Sequence, residues 1–131
     1  CNGENINPEL NIKGIPEDAQ SLVLIVDDPD APTGTFVHWV MFNLPVEGSE
    51  KKISEDYSAE GPGAAEGEND FGKVGYCVPC PPSGTHRYFF KVHALNDTLD
   101  LEEGSSKLDV EKAMEDKILD SEQLKGLYSK K

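Results

Sequence analysis

Three short segments of the chain carry side chains that could bind or transfer a charged group. The first, residues 27–34, holds the carboxylates Asp27, Asp28 and Asp30 between an apolar run and two prolines. Carboxylates this close repel one another unless a cation or a hydrogen-bond donor pairs with at least one of them. The prolines restrict the backbone, so the segment is predicted to be a rigid turn that presents its side chains accurately. A turn with solvated carboxylates is the alternative.

The second segment is an apolar run, residues 36–42, that contains His38. Side chains alternate between the two faces of a strand, so the pattern predicts that His38 shares a face with the other even-numbered residues. These are Phe36, Val40 and Phe42. A lone histidine on an apolar face is more often a hydrogen-bonded core residue than a ligand, and this pattern leaves both roles open.

The third segment, residues 80–88, runs from Cys80 through two prolines to His86, Arg87 and Tyr88. On a strand, His86 and Tyr88 would lie on one face, about 7 Å apart from a rise of about 3.3 Å per residue. Two side chains at this spacing can line one concavity. Arg87, the only arginine of the chain, would point to the other face and is predicted to pair with a carboxylate of the 27–30 turn.

Two alternative chemistries use the same segments. Cys77 and Cys80 have the spacing of a redox or zinc half-site, but no helix opens at Cys80 and no second cysteine pair exists, so a disulfide or two loop thiols is favoured. Asp28, His38 and His86 could together supply a two-histidine, one-carboxylate metal site, although they come from separate segments.

The elements that position these segments are three runs of strand length, residues 22–26, 36–42 and 88–95. Residues 47–84 form a long acidic connection that is rich in glycine and proline, and such long loops are usually functional or disordered. Its apolar anchors are predicted to be Ile53, Tyr57, Phe71, Val74, Tyr76 and Val78.

After residue 95 the apolar period changes to that of a helix. Val110, Ala113, Met114 and Ile118 line one helical face. Asp120-Ser121-Glu122-Gln123 resembles a capping box, which predicts a second short helix that ends at Gly126. Strands followed by helices predict a mostly antiparallel β domain with short C-terminal helices.

Length and charge restrict the function classes. The 131 residues are enough for one domain. With 12 basic and 25 acidic residues the net charge is −13, which repels nucleic acids and anionic bilayers. No apolar run approaches the length of a transmembrane segment.

Several motifs, in their order and with their connecting lengths, resemble the phosphatidylethanolamine-binding protein family, and in particular its short bacterial and archaeal Raf-kinase-inhibitor-like branch. They are Asp28-Pro29-Asp30-Ala31-Pro32, His38-Trp39-Val40 and Pro81-Pro82-Ser83-Gly84-Thr85-His86-Arg87-Tyr88. Two further segments, residues 1–8 and 71–76, extend the resemblance over nearly the whole chain. It implies a single β-sandwich domain over residues 1–131 that lacks the N-terminal strand segment of other members.

The resemblance also implies a function. We expect a non-enzymatic protein without a cofactor that binds a small anion or a phosphorylated headgroup such as that of phosphatidylethanolamine. The implied ligand-binding residues are Asp28, His38, Cys80, Pro81, Pro82, His86 and Tyr88, with Asp30 and Arg87 as a supporting ion pair. A protein partner, either a protease or a kinase inhibited through the 47–84 loop, is one alternative, and a metal-dependent enzyme that uses His38, His86 and Asp28 is another. The expected location is the cytoplasm, with the periplasm as the alternative.

Overall fold

A computed structural model describes residues 10–28, 36–46, 48–53, 64–70, 72, 74–75 and 85–129. For residues 85–88 and 124–129 it describes the backbone alone. Within these residues lie seven strands and one helix, whose bounds are β1 Leu10–Ile12, β2 Ser21–Asp28, β3 Phe36–Leu44, β4 Lys51–Ile53, β5 Ala65–Glu66, β6 Thr85–Leu95, α1 Lys107–Met114 and β7 Ile118–Ser129. The three predicted strands are therefore confirmed as β2, β3 and β6.

The strands form two antiparallel sheets. The larger has the order β5-β3-β2-β6-β7, and the smaller pairs β1 with β4. Strand β2 is at the centre of the larger sheet, and all eight of its residues are buried. A strand covered on both faces reads as a continuous apolar run, as residues 22–26 do. The mostly β, antiparallel fold class is confirmed.

Alternation along β2 builds two separate cores. Leu22, Leu24 and Val26 point toward the smaller sheet and pack with its residues Ile12 and Ile53, which we call the first core. The first core fills the space between the two sheets, as in a β-sandwich.

The opposite face of the larger sheet is covered by α1. Val23 and Ile25 of β2 pack there with Val110 and Met114 of the helix, and we call this the second core. The helix begins after Ser106, whose hydroxyl oxygen accepts a hydrogen bond from the Asp109 N–H at 3.2 Å. Among the described residues, no helix is both long and apolar enough to cross a membrane.

The predicted second C-terminal helix is wrong. Residues 118–129 form β7, which pairs with β6 from Leu95 opposite Ile118 to Thr85 opposite Ser129. The helix α1 also ends at Met114, so Ile118 belongs to this strand and is 41% exposed. Pairing with β6 gives hydrogen-bond partners to the backbone N–H and C=O groups of residues 118–129. This stabilisation by tertiary structure outweighs the local preference for a helix that the capping pattern indicates.

The long connection is anchored less completely than predicted. Ile53 is fully buried, as expected, whereas Val74 is 49% exposed although it bridges Glu68. Tyr57, Phe71, Tyr76 and Val78 lie outside the described residues. Gly67 packs against β3, and a Cβ there would come within 2.4 Å of the Ser105 carbonyl oxygen.

Strand β3 contains a bulge near its C-terminal end. One extra residue lies between the pairs Leu22–Leu44 and Leu24–Met41. Asn43 has a φ of 55° at this point, a backbone conformation that asparagine adopts more readily than most residues. Its side-chain amide donates to the Leu99 carbonyl at 2.8 Å, and its side-chain oxygen accepts from the Leu99 N–H at 2.7 Å. The bulge thereby fixes the chain that leads to α1.

Candidate ligand-binding site at one end of the sheet

A second bulge in β3 determines where His38 lies. Val26 pairs with Trp39 and Asp27 pairs with Val37, so His38 is the extra residue between the two pairs. A bulge interrupts strict alternation. Beyond it, Val40 and Phe42 belong to the second core. The predicted single face for all the even-numbered residues of this run is therefore wrong.

The bulge leaves His38 beside Phe36. Their ring centroids are 5.2 Å apart, with the rings tilted by 53°. Phe36 is paired with Asp28, and paired residues of antiparallel strands share a face. Asp28 and His38 are both buried, each with 3% of its surface exposed. Asp28 and His38 therefore lie on one side of the sheet, at the end where β2 stops and β3 begins.

The register of β6 brings its first residues to the same end. Asp27 pairs with Phe89, the last pair between β2 and β6, and Tyr88 is the next residue of β6 beyond it. His86 is two positions further along β6. Both positions belong to the row of Phe90, a residue of the first core. The topology thus gathers positions 28, 38, 86 and 88 from three strands at one end of the sheet.

The remaining predicted site residues are less fully described. Asp30, Cys80, Pro81 and Pro82 lie outside the described residues, as do the side chains of His86, Arg87 and Tyr88. The predicted ion pair and the metal alternative depend on these side chains and stay predictions. Where side chains are described, no group of three or more histidine, cysteine, aspartate or glutamate residues is arranged to hold a metal ion.

Asp27 lies on the opposite face of β2 from Asp28. It is fully buried, and its Oδ2 accepts from Lys91 Nζ of β6 at 3.1 Å and from Lys107 Nζ of α1 at 3.3 Å. Its Oδ1 is buried without a hydrogen-bond partner in the described part of the chain. The expectation that a cation pairs with one of the crowded carboxylates is confirmed, but at Asp27 the cations are lysines.

Lys91 and Lys107 did not stand out in the sequence as partners of Asp27. One signal was present: Lys91 interrupts an otherwise apolar run, and a charge on a buried strand requires a partner. Which carboxylate would meet it depends on the register of β2 and β6, and the second lysine arrives only because α1 covers this face. The cluster of Asp27, Lys91 and Lys107 ties the helix to the sheet next to the candidate site.

A second polar group on the α1 side of the sheet was also missed. His93 of β6 and Ser121 of β7 are direct cross-strand partners, and His93 Nδ1 is 2.7 Å from Ser121 Oγ. Burial and the positive charge of Lys91 lower the pKa of His93 below its ordinary value, while Glu111 on α1 opposes the shift. His93 is therefore a neutral imidazole at neutral pH.

A small cavity lies away from the candidate site. Its volume is about 20 Å³, which is room for about one water molecule. It is lined by residues 12–16 and by Leu22, Val92 and Ala94, among others. Leu22 and Asp28 are at opposite ends of β2, roughly 20 Å apart at the usual rise per residue. This cavity is therefore separate from the end of the sheet that carries Asp28.

Comparison with known proteins agrees with the geometry. A family model described as "Phosphatidylethanolamine-binding protein" matches residues 1–129. The chain belongs to the phosphatidylethanolamine-binding protein family. A UPF0098 protein from Methanothermobacter thermautotrophicus is 51% identical over 98% of this chain and 85% of its own length, and another from Pyrococcus abyssi is 49% identical over 100% and 76%.

Solved structures of the family share the fold. The homologue CT736 from Chlamydia trachomatis superimposes with a TM-score of 0.84 at 39% identity, over 96% of this chain and 82% of its own. YbcL from Escherichia coli, described as a new member of the mammalian family, gives a TM-score of 0.85 at 31% identity, over 97% and 82%. The resemblance inferred from the sequence motifs is confirmed, and with it a fold typical of binding proteins.

Proposed function

We propose that this protein binds a small anion or a phosphorylated headgroup without chemical turnover, at the end of the larger sheet where β2 stops. The proposed ligand-binding residues are Asp28, His38, Cys80, Pro81, Pro82, His86 and Tyr88. Asp30 and Arg87 are proposed as the ion pair that supports the turn. The name of the family and the description of CT736 refer to phosphatidylethanolamine, whose headgroup carries a phosphate.

The observation that carries the proposal is the placement of His38 beside Phe36 and on the same side of the sheet as Asp28. Alternation from Phe36 puts His38 on this face, and the bulge allows its neighbour Trp39 to be buried in the first core on that side as well. Bulges commonly redirect a side chain next to a functional site.

The chemistry of the group suits an anion. A carboxylate close to a histidine favours the imidazolium form, which donates two N–H groups and carries a positive charge. Asp28 is proposed to have this effect on the histidines, and Tyr88 to add an O–H donor. The net charge of −13 repels anions at long range, so we expect affinity in the millimolar range and a strong dependence on local contacts.

Thermal unfolding with and without ligand tests the proposal. Inorganic phosphate and phosphorylethanolamine, each at millimolar concentration, are expected to raise the melting temperature, whereas ethanolamine alone is not. His38→Ala and Asp28→Asn are expected to abolish the rise. The matched controls are His93→Gln, on the opposite face of the sheet, and Asp18→Asn, in an exposed turn; both are expected to retain it.

The pattern across ligands and variants decides the outcome. Equal shifts with phosphate and phosphorylethanolamine would identify the phosphate group as the recognised chemistry, and a larger shift with phosphorylethanolamine would identify the headgroup. The absence of any shift in the unmodified protein, or a shift that persists in both site variants, would overturn the proposal.

A further inference from the structure

His93 and Ser121 are direct cross-strand partners whose side chains are in hydrogen-bond contact. The Ser121 N–H donates to Asp120 Oδ1 at 2.9 Å, so it is turned away from β6. Cross-strand pairs without backbone hydrogen bonds between them bring their side chains nearer together. The 2.7 Å separation of His93 Nδ1 and Ser121 Oγ is a short hydrogen bond, and Ser121 is exposed to reagents in solution.

The surroundings of His93 favour the neutral imidazole, the form that can accept a proton. Burial and the positive charge of Lys91, on the same strand, lower the pKa of His93 and disfavour the imidazolium, while the negative charge of Glu111 on α1 opposes them. The neighbours from the other two strands are Ser121 on β7 and the apolar Val23 on β2. A neutral imidazole with its proton on Nε2, the nitrogen that does not face Ser121, has a free electron pair on Nδ1 for the serine hydroxyl.

We propose that Ser121 is a base-activated nucleophile that accepts an acyl group from an activated ester, with His93 as its general base. A nucleophile within hydrogen-bond reach of a base is the arrangement that activates serine hydroxyls. The site is independent of the proposed anion site, because it lies on the other face of the sheet.

The reaction is an acyl transfer. Ser121 Oγ attacks the carbonyl carbon of the ester while its proton passes to His93 Nδ1. The tetrahedral intermediate collapses, the bond between the carbonyl carbon and the leaving oxygen breaks, and His93 returns the proton to the leaving alcohol. The products are O-acyl-Ser121 and the free alcohol, with no oxidant or further reactant.

The backbone of Ser121 limits the rate of this reaction. Enzymes of this type stabilise the oxyanion with backbone N–H donors, and removing one such donor costs about 100-fold or more in rate. Here the Ser121 N–H is already bonded to Asp120. We therefore expect a single acylation of each molecule with slow deacylation rather than sustained turnover.

The test is labelling of the intact protein with p-nitrophenyl acetate. Release of p-nitrophenol gives the rate, and peptide mass spectrometry locates the acetyl group. Alkaline hydroxylamine removes serine esters and leaves acetylated amines, which separates Ser121 from lysine side chains. Ser105 is the control, since its hydroxyl donates to the Glu102 carbonyl at 2.7 Å and, within the described residues, is hydrogen-bonded to no histidine. We expect Ser121 to be labelled at least about tenfold faster than Ser105.

Variants distinguish activation from simple exposure. Ser121→Ala is expected to remove the hydroxylamine-sensitive label, and His93→Gln to lower the rate at Ser121 to that of Ser105. The rate should fall with decreasing pH as His93 is protonated, with a midpoint below 6.5, and Glu111→Gln should move that midpoint lower. Labelling of Ser121 at the rate of Ser105, or a rate that His93→Gln leaves unchanged, would overturn the proposal.

Discussion

Asp27 and Asp28 are adjacent in the sequence and almost equally buried, but the fold gives them different surroundings. Asp27 points toward α1, where two lysine ammonium groups lie within 3.3 Å of one carboxylate oxygen. Asp28 is on the other face, opposite Phe36 and on the side of His38. A strand reverses the direction of its side chains at every residue, so the same residue type has a structural partner on one face and a candidate ligand site on the other.

The comparison also shows where each partner originates. The cations of Asp27 come from β6 and from the helix, two elements that are far from it in the sequence. The neighbours of Asp28 come from the adjoining strand β3, where Phe36 is its cross-strand partner and His38 lies on the same side. Both sides of the sheet carry a packed core, and the α1 side adds the buried cluster of Asp27 with two lysines.

The largest effect is expected from removing both cations of Asp27. In Lys91→Met/Lys107→Met the apolar stems remain, but the buried carboxylate has no counter-charge. Removing the partner of a buried charge lowers the free energy of unfolding by about 3–5 kcal/mol. We expect urea unfolding to show a loss of this size, whereas the exposed Lys112→Met changes little. A loss well under about 1 kcal/mol would show that Asp27 does not depend on the lysines.

Neutralising each aspartate in turn tests the comparison directly. Asp27→Asn is expected to lower the free energy of unfolding by about 1.5–3 kcal/mol, the usual contribution of hydrogen bonds to charged groups, and to retain the phosphate-induced rise in melting temperature. Asp28→Asn is expected to lose that rise. If the two variants behave alike in the ligand assay, the separation of the two faces is refuted.

Asn43 tests whether the far bulge of β3 is independent of the site. Asn43→Ala leaves the buried Leu99 N–H and carbonyl without their partner, which we expect to cost about 1–2 kcal/mol. The response to phosphate should be unchanged, because the bulge at His38 is retained. Loss of the ligand response in a folded variant would instead couple the two ends of the strand.

The smallest effect concerns pH. Because the pKa of His93 is lowered in the folded protein, the unfolded chain binds its proton first as the pH falls below 6.5. The contribution of His93 to stability is therefore fully present above 6.5 and is lost progressively as the pH falls through the folded pKa. As the pH falls from about 7.5 to about 5, the free energy of unfolding of His93→Gln, measured by chemical unfolding, should decrease less than that of the unmodified protein. Parallel losses in the two proteins would contradict this.

Three of the five strands of the larger sheet could be predicted from the sequence, and the reasons are local. The candidate site residues were also named from the sequence, and their role stays a prediction. Runs of apolar and β-branched residues at strand length predicted β2, β3 and β6. Phe90 and Val92 of β6, two residues apart, both lie in the first core, as alternation along a strand requires. The segment 120–126 was mistaken for a helix because its capping pattern is local, whereas the backbone partners that β6 offers it are not.

The sequence by itself determined the three strands β2, β3 and β6, which residue types could bind an anion and that the chain resembles a recognisable family. Only the tertiary structure decided that Lys91 and Lys107 serve Asp27, that His38 is the extra residue of a bulge, and that Ser121 meets His93. Each of these depends on register between strands that are distant in the chain, and a shift of one residue reverses the face of every side chain. Composition and periodicity do not encode that register, because it is fixed by the packing of both cores together.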